Sequence, residues 1–370
     1  MRILYLAQRY DYGNPSNGLS FEHFNFYESL CAMGHELTYF DYPSLISDLG
    51  RTKANRRLEA IVQGKQPDLL FGVVRRDLVS KRTMRRISEQ SDTTTINWFC
   101  DDHWQFDSHA RGWTPCFNHV VTTSQNAYAG YQAHGLTNVI KSQWGDNHTL
   151  YKPTDEPFKY DVTFVGQPYG MREQAIQTLQ RAGINVRAWG SGWPDGKLSQ
   201  SEMIRVFSQS RINLNFADAS SSSRTKLEAI AASHTVSSLR TKPALWRLWS
   251  GAQRLAAWDK QRAATPDIAP PRQIKGRVFE VPACGGFLLT QPAEDLDTYL
   301  KPGQDCATFE TIDELVDQVR YYLKHEDDRR DIASRGYQRT LGEHTYAARF
   351  EAIFEQAGIK SAHTPIRKAA

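Results

Sequence analysis

Glycine and basic residues mark two places where the sequence predicts the start of a helix. The first is 166–172, which begins at Gly166 and ends at Arg172. The second opens a predicted helix over 273–283, and its residues are Lys275, Gly276 and Arg277. Glycine lets a backbone approach a ligand closely, a helix start offers free N–H groups, and arginine is a bidentate partner for phosphate. Both places are candidate phosphate sites, although a glycine after a strand is as often a simple turn.

An acidic residue, Glu280, lies one turn into the second predicted helix, within an otherwise apolar run (VFEVPA). Its carboxylate can accept hydrogen bonds from two neighbouring hydroxyl groups, such as those of a ribose. The alternative is an ion pair with a nearby arginine such as Arg277, three residues earlier. The sequence leaves both open.

Two aspartates and a histidine follow a predicted strand over 94–100. They are Asp101, Asp102 and His103. A carboxylate or an imidazole at this place could orient or deprotonate an acceptor hydroxyl group. The alternative for each aspartate is that it caps the start of a helix, where aspartate is a favoured residue.

Strands that alternate with helices must position these residues. The predicted strands lie at Arg2–Ala7, 35–41, 67–74, 94–100, 119–124 and 138–143, and then at Tyr160–Val165, 185–189, 211–216 and 287–290. This alternation predicts an α/β fold with two Rossmann-like, doubly wound parallel sheets. Ligands bind beyond the carboxyl ends of such strands. Gly166, Gly190 and Asn215 follow or end strands of the second set, so they are candidate ligand-binding residues.

The predicted domains are 1–152 and 153–345, followed by a final helix and tail over 346–370. A linker-like run, PTDEP at 153–157, separates the two domains. The alternation of strands and helices breaks at 217–272, which is rich in Ser, Trp, Arg and Pro. We interpret this stretch as an insertion of one or two helices and a loop. The final helix is expected to pack back on the first domain.

Composition excludes several classes of protein. The net charge is only +4 over 370 residues, whereas nucleic-acid-binding domains are strongly basic. The five cysteines are scattered and form no CxxC pair, so neither a disulfide scaffold nor a zinc site is predicted. The sequence shows no signal-peptide pattern and no apolar run of about 18 residues, as a membrane span needs. We therefore expect a cytoplasmic protein without a metal ion.

One stretch, 51–86, is locally basic, with eleven lysines and arginines against three acidic residues. The simpler interpretation is a solvated helix face. The alternative is peripheral contact with anionic lipid at the inner face of a membrane, or with an acidic acceptor.

Three segments of the second half resemble a known family when taken in order. They are YDVTFVGQPYGMREQAIQTLQRAGINVRAWGSGW, RVFEVPACGGFLLT and IDELVDQVRYYLKHEDDRRDIASRGYQRT. Over about 155–355 the chain resembles family-4-like GT-B glycosyltransferases, and among them the CgeB-like (spore maturation protein) group. The resemblance implies two Rossmann-like domains facing a central cleft, a nucleotide-diphosphate sugar donor, and retaining transfer of a hexosyl group with no cofactor and no obligatory metal.

The resemblance also implies roles for individual residues. Glu280 takes the place of the second glutamate of an E-x7-E motif, which binds the donor ribose. Arg172 would hold the diphosphate together with backbone N–H groups near 274–276, and Gly18 would let the loop after the first strand approach the donor phosphate. The first glutamate of the motif is replaced by Arg272. Recognition of the sugar must therefore differ from the family pattern.

The expected chemistry is charge stabilisation, because phosphate leaves as an anion. Arg172, with Lys275 or Arg277 and the helix starts, would stabilise that charge in place of a metal ion. The acceptor, whether a glycan, a lipid-linked molecule or a protein, stays open. A non-catalytic nucleotide-sugar binding or coat-assembly protein is the alternative that Arg272 favours. An NAD-type oxidoreductase is disfavoured, since no G-x-G-x-x-G follows the first strand. The carboxylates of a nucleotide-sugar epimerase are not visible.

Overall fold

The computed structural model describes residues 1–75, 78–218 and 272–360. The chain forms two compact units. The first comprises Met1–Leu150 together with Thr345–Ala370, and the second is Tyr151–His344. The chain therefore leaves the first unit after residue 150 and returns to it at residue 345.

The first unit contains a parallel sheet of six strands. In chain order the strands are β1 (Arg2–Ala7), β2 (Glu36–Asp41), β3 (Leu69–Gly72), β4 (Thr94–Phe99), β5 (His119–Thr122) and β6 (Val139–Lys141). Their spatial order is β2-β1-β3-β4-β5-β6. The strand order reverses between β1 and β3, and the crevice at such a reversal is where open α/β sheets bind ligands.

Helices cover both faces of this sheet. The helices of the first unit are Glu28–Ala32, Tyr42–Leu49, Arg51–Lys65, Lys81–Gln90, Asp102–Gln105, Arg111–Trp113, Gln125–Ala133 and Tyr346–Gln356, with π-helical turns at His23–Tyr27 and Phe106–Ala110 and 3-10 turns at Asp11–Gly13, Pro15–Asn17 and Thr114–Cys116. The hydroxyls of Ser80, Ser124 and Thr345 cap the helices that follow them. π-helical turns occur frequently at functional sites, and here one lies shortly after β1 and the other after β4.

The final helix, Tyr346–Gln356, completes one of the two hydrophobic cores of the first unit. Its Phe350 lies against Trp98 of β4 and Phe71 of β3, and all three side chains are buried. The backbone N–H of Tyr346 donates to the Asp146 carbonyl, which ties the helix start to the end of the first segment. About 150–250 Å² of each aromatic side chain is buried in such a core, so the helix is an integral part of this unit.

The second unit contains a parallel sheet of five strands in the order β11-β10-β9-β7-β8. In chain order they are β7 (Tyr160–Val165), β8 (Val186–Trp189), β9 (Ser210–Asn215), β10 (Leu288–Thr290) and β11 (Ala307–Thr308). The described helices are Arg172–Arg181, Gln200–Ser208, Arg277–Ala283, Leu296–Tyr299, Ile312–Lys324 and Glu326–Glu343. The strand order reverses between β7 and β9, so the carboxyl ends of these two strands flank the crevice.

The helix predicted over 273–283 is shorter in the structure and begins at Arg277, with Gly276 at the N-cap position. Lys275 therefore precedes the helix, and its expected place in the first turn was wrong. Most of the predicted insertion, residues 219–271, lies outside the described residues. The predicted strands 67–74, 119–124 and 138–143 were also too long, since the strands in the structure are Leu69–Gly72, His119–Thr122 and Val139–Lys141.

The basic stretch contains two neighbouring helices, Arg51–Lys65 and Lys81–Gln90, joined by an ion pair of Arg86 with Glu59 at 3.3 Å. Most of its basic side chains are exposed, and Arg76 lies outside the described residues. Across the described ranges, none of the helices combines the length and the apolar character needed to cross a membrane. All five cysteines are free thiols; Cys31 is exposed and the others are buried.

Candidate functional site

At the carboxyl edge of the second sheet, the loops after β7 and β8 pack directly on each other. The Gly166 N–H donates to the Trp189 carbonyl at 2.8 Å, and the Trp193 indole donates to the Gly166 carbonyl at 2.7 Å. Gly190 has φ +144°, and a Cβ placed on it would lie 2.3 Å from the Gly166 oxygen. The need for glycine at position 190 is thus explained by this close approach of the two backbones.

Arg172, the first residue of the helix Arg172–Arg181, is the main cation of this edge. Its side chain is only 6% exposed. Its guanidinium donates to the carbonyl oxygens of Gln167 at 3.1 Å and Phe216 at 3.2 Å, which follow β7 and β9. It also stacks on the Tyr169 ring, 3.7 Å from the centroid. Two strand ends therefore hold the guanidinium beside the crevice.

No carboxylate among the described residues forms an ion pair with Arg172, and its Nε atom has no hydrogen-bond partner there. Burial lowers the pKa of this guanidinium, and Tyr169 and then the charge of Asp218 oppose that effect. A buried cation without a counter-ion is costly. An anionic ligand at this edge would remove that cost.

Asn215 and Gln291, at the ends of β9 and β10, fasten the neighbouring loops. The Asn215 amide donates to the Thr290 hydroxyl at 2.8 Å, and Asn215 is buried. Gln291 accepts from the Ala217 N–H at 3.0 Å and reaches the Met171 sulfur. The Asn215 side chain thus joins β9 to β10. Gln291, which sequence reasoning missed, links the loop that carries Arg172 to the loop that follows β9.

Glu280 is fully buried, and both of its oxygen atoms have protein partners. Oε1 accepts from the Tyr151 hydroxyl at 2.8 Å, and Oε2 pairs with Arg277, three residues earlier. Burial and the charge of Glu280 raise the pKa of Tyr151, so the phenol stays protonated and donates. Burial alone would lower the pKa of Arg277, but Glu280 reverses the direction. Of the two alternatives, the structure contains the arginine pair.

Lys275 and Gly276 form the turn that leads into the helix carrying Glu280. The Glu280 N–H donates to the Gly276 carbonyl at 3.0 Å, and the Val278 N–H donates to that of Lys275. Ile274, just before them, is buried. The turn thus brings backbone N–H groups and the Lys275 side chain to the start of a short helix.

Arg272 lies between two carboxylates at the same edge. Its guanidinium is 3.4 Å from Asp218, which follows β9, and it also pairs with Glu310, which follows β11. A backbone bridge joins Asp218 to Arg272. The position where the family pattern has an acid therefore carries an arginine whose charge two other acids balance. Asp218 lies three residues after β9 and Glu310 two residues after β11, and neither was singled out as a site residue from the sequence.

In the first unit, Asp101, Asp102 and His103 lie at the carboxyl end of β4. Asp101 occupies an N-cap position, but its side chain makes no capping hydrogen bond, and it is partly exposed. Asp102 is 2% exposed and accepts from the Tyr131 hydroxyl at 3.1 Å. Burial raises the pKa of Asp102 to about 7. His103, in the first turn of the same short helix, is partly exposed.

Gly18 lies in the loop after β1, where the Asp11 N–H donates to its carbonyl at 3.0 Å. Its φ of +80° favours glycine, and a Cβ there would meet no atom within 4 Å. The space beside Gly18 is therefore open, as close approach of a ligand requires.

An ion pair between the buried Glu22 and the partly buried Arg75 lies at the carboxyl edge of the first sheet and was not predicted. Arg75 follows β3, and it also hydrogen-bonds Cys100 and feels the charge of Asp101, both just after β4. Position after a strand was the available signal for Arg75. Nothing in the sequence indicated that Glu22, on the helical segment beyond the first loop, would be its partner.

One protein-family model matches the second unit. Residues 172–260 and 247–355 match the model of a family described as glycosyl transferase-like. These ranges contain Arg172, Lys275, Gly276, Arg277 and Glu280. The chain has a glycosyltransferase-like GT-B fold. The finer CgeB-like assignment is not among these findings. None of the curated proteins matches the sequence.

Solved GT-B structures match nearly the whole chain. Sucrose-phosphate synthase from Thermosynechococcus elongatus has a TM-score of 0.57 and 10% identity, covering 96% of this chain and 98% of that one. HepE from Anabaena, in complex with UDP-glucose, has a TM-score of 0.57 and 12% identity over 97% and 99%. A glycosyltransferase from Rickettsia africae has a TM-score of 0.57 and 8% identity over 96% and 97%. At such low identity these matches establish the GT-B fold alone.

In this GT-B chain, several of the predicted residues lie at the carboxyl ends of strands. Gly166, Arg172, Gly190 and Asn215 lie at the carboxyl ends of β7, β8 and β9, and Asp101–His103 lie at that of β4. The described residues contain no group of three or more His, Cys, Asp or Glu side chains suited to a metal ion.

Proposed function

We propose that this protein is a glycosyltransferase that moves a hexosyl group from a nucleotide-diphosphate sugar to an acceptor hydroxyl group. The observation that carries the proposal is Arg172. It is buried at the ligand-binding edge of the second sheet, is held there by two backbone carbonyls, and has no carboxylate partner among the described residues. A diphosphate supplies the missing negative charge. The glycosyl transferase-like match over the same unit supports this assignment.

In the proposed reaction the acceptor oxygen forms a bond to the anomeric carbon while the bond from that carbon to the phosphate oxygen breaks. The electron pair leaves with the nucleoside diphosphate, whose growing charge Arg172 stabilises, assisted by the turn at Lys275 and Gly276. Asp101 is the proposed group that orients the acceptor hydroxyl and takes its proton. We further propose that the acceptor attacks from the face that the leaving phosphate vacates, so that the reaction retains the anomeric configuration. No metal ion or cofactor is needed in this proposal.

Ribose binding by Glu280 stays a prediction, because protein groups already occupy its carboxylate. Both carboxylate oxygens are engaged, by Tyr151 and by Arg277. Each oxygen has a second lone pair, but the residue is fully buried. Ribose binding by Glu280 therefore requires a rearrangement of the side chains around it.

The first experiment is a thermal-shift panel with UDP, GDP, dTDP and CDP, starting with UDP because HepE was crystallised with UDP-glucose. We expect one nucleotide to stabilise the protein. Arg172→Met should then weaken the binding of that nucleotide by about 1–3 kcal/mol, or roughly 5- to 150-fold, because a phosphate loses its charged donor. Arg181→Met, at the exposed end of the same helix, is the matched control.

Because Arg172 also hydrogen-bonds two carbonyls, its substitution will lower stability in the absence of ligand. The readout is therefore the nucleotide-induced shift within each variant, not the absolute melting temperature. Equal shifts in wild type, Arg172→Met and Arg181→Met would rule out Arg172 as the diphosphate ligand. Absence of a shift with all four nucleotides would overturn the nucleotide-sugar assignment itself.

A non-catalytic nucleotide-sugar binding protein is the second candidate, and the Arg272 pair with Asp218 and Glu310 favours it. Hydrolysis of a donor separates the two candidates. The donor is the diphosphate sugar of the nucleotide that stabilises the protein, and its hydrolysis is measured without acceptor and in the presence of EDTA. If the wild type slowly releases nucleotide from the donor and Arg172→Met does not, the protein is supported as a metal-independent transferase. Binding without any release supports the binding protein.

A further inference from the structure

The second unit contains a cavity of about 200 Å³ at the amino edge of its sheet. Residues that precede β7 (Phe158), begin β9 (Arg211) and precede β10 (Phe287) line it, with the helix Glu326–Glu343 on the remaining side. Arg172 and the proposed donor site lie at the opposite, carboxyl edge of the same strands. The cavity is therefore separate from that site.

Arg329, on this helix, is the most deeply buried cation of the cavity. Its side chain is 1% exposed, and Nη1 donates to the Tyr322 carbonyl at 2.9 Å. Nη2 has no hydrogen-bond partner among the residues that the structure describes. The Glu326 oxygen nearest to Nη2 is 3.7 Å away, which is too long for a hydrogen bond. A buried charged donor without an acceptor is a strained arrangement that a ligand oxygen would relieve.

Three guanidinium groups around the cavity share few carboxylates. Glu326 serves all three, at 3.3 Å from Arg211, 3.7 Å from Arg329 and 2.6 Å from Arg330. Asp161 is the other carboxylate in range, 3.6 Å from Arg211. The positive charge of this group is thus incompletely balanced. Burial lowers the pKa of Arg329, and the charges of Arg211 and Arg330 act in the same direction while Glu326 opposes them.

The rest of the cavity wall is aromatic and apolar. The Phe158 ring lies 5.5 Å from the guanidinium carbons of both Arg211 and Arg329, and its side chain is 41% exposed. Phe287 and Tyr337 supply further ring surface. A ligand that fits must therefore carry an anionic group at one end and a small apolar body at the other.

We propose that this cavity binds a small organic phosphate monoester. A phosphate group has three terminal oxygens and a charge near −2, so it can accept from all three guanidiniums and replace Glu326 as their shared partner. A carboxylate has only two oxygens and one charge. The aromatic wall then covers the organic part of the ester. The site does not depend on the proposed transferase activity, since none of its residues lies at the carboxyl edge.

Isothermal titration of the full chain with phenyl phosphate tests the proposal, with inorganic phosphate and phenol as partial probes. We expect phenyl phosphate to bind more tightly than either part alone. Arg329→Met should weaken it by about 10-fold or more, because it removes a charged, buried donor. Arg330→Gln, at a more exposed position, should weaken it by about 2- to 5-fold.

Glu326→Gln gives a change of opposite sign, which a merely structural role would not produce. It removes the carboxylate that competes with the ligand, so phenyl phosphate should bind about 2- to 5-fold more tightly. If Arg329→Met does not fold, Glu326→Gln and Arg330→Gln still decide the matter. Arg335→Gln, on the same helix but bonded to the Gln304 carbonyl, should leave the affinity unchanged.

Arg172→Met separates this site from the donor site, and we expect it to bind phenyl phosphate as the wild type does. Loss of phenyl phosphate binding in Arg172→Met would place the ligand at the carboxyl edge and overturn the proposal. So would the absence of binding at millimolar phenyl phosphate, or equal affinities in the wild type, Glu326→Gln and Arg330→Gln.

Discussion

The carboxyl edges of the two sheets both contain a glutamate–arginine ion pair, but they differ in the charged residues outside that pair. Each contains an ion pair between a buried glutamate and a partly buried arginine, Glu22–Arg75 in the first unit and Glu280–Arg277 in the second. Outside these pairs, the first edge has the partly exposed Asp101, whereas the second has Arg172, which has no ion-pair partner in the described ranges. A third basic residue of the second edge, Arg272, is balanced by Asp218 and Glu310. In the proposed function, Asp101 meets an acceptor hydroxyl group and Arg172 meets a diphosphate, so the two edges would bind groups of opposite character.

The largest expected effect concerns the acidic edge. If Asp101 takes the acceptor proton, Asp101→Asn should lower kcat by about 10²- to 10⁴-fold with little change in the KM for donor. Asp107→Asn is the matched control, since that carboxylate is exposed and paired only with Arg111. Equal kcat values in the two variants would show that Asp101 does not take the acceptor proton. The proposed acidic role of the first edge would then be wrong.

The glutamate of the second edge tests whether its pair is structural. Glu280→Ala leaves Arg277 partly buried without its carboxylate, so the free energy of unfolding in urea should fall by about 3–5 kcal/mol. Glu173→Ala, at an exposed position of the same unit, should change it by less than about 0.5 kcal/mol. If Glu280 also binds ribose, the nucleotide-induced thermal shift will disappear as well. An unchanged shift would mark Glu280 as support alone.

Asp102 gives the first edge a pH dependence. Its pKa is raised to about 7 in the folded protein by burial and is near 3.9 in an unfolded chain. The folded state therefore holds the proton more tightly, and stability should decline as pH rises from about 4 to 7 and level off above 7. The whole contribution is on the order of 4 kcal/mol.

Asp102→Asn keeps an acceptor for the Tyr131 hydroxyl but does not ionise. Above pH 7 this variant should unfold at a higher urea concentration than the wild type, and the advantage should shrink towards pH 4. A constant difference between the two proteins across this range would show that Asp102 does not titrate as its burial implies.

The smallest expected effect concerns the basic helices of the first unit. If they contact anionic lipid, each exposed lysine or arginine contributes at most about 1 kcal/mol, and less at high salt. Replacing Lys53, Arg56 and Arg57 by Gln should reduce co-sedimentation with phosphatidylserine vesicles but not with neutral ones. Vesicle binding that is absent in the wild type, or insensitive to the triple change, leaves these residues as a solvated helix face.

The strands could be predicted from sequence because each is a short apolar run bounded by polar or turn residues. β1 and β7 have the predicted bounds, Arg2–Ala7 and Tyr160–Val165. β11 was missed, since a strand of two residues, Ala307–Thr308, leaves no periodic pattern. The two π-helical turns were also missed, because their extra residue per turn depends on packing and has no local signature.

The placement of candidate residues at strand ends followed from sequence, but their partners did not. Tyr151 and Glu280 are 129 positions apart, and only the folded unit brings the phenol within 2.8 Å of the carboxylate. Arg277 was foreseen as a partner of Glu280 because three residues separate them on one helix. The choice between that pair and a ribose depends on burial, which the apolar run around Glu280 indicated only in part.

The final helix has a consequence for how the protein is made. A ribosome releases residues 1–150 long before Tyr346–Gln356, by roughly 10–40 s at ordinary rates of synthesis. Until then Trp98 and Phe71 lack the Phe350 ring that covers them in the finished core. The unit that begins the chain is therefore the last to be completed, and the second unit, whose segment is continuous, can fold first.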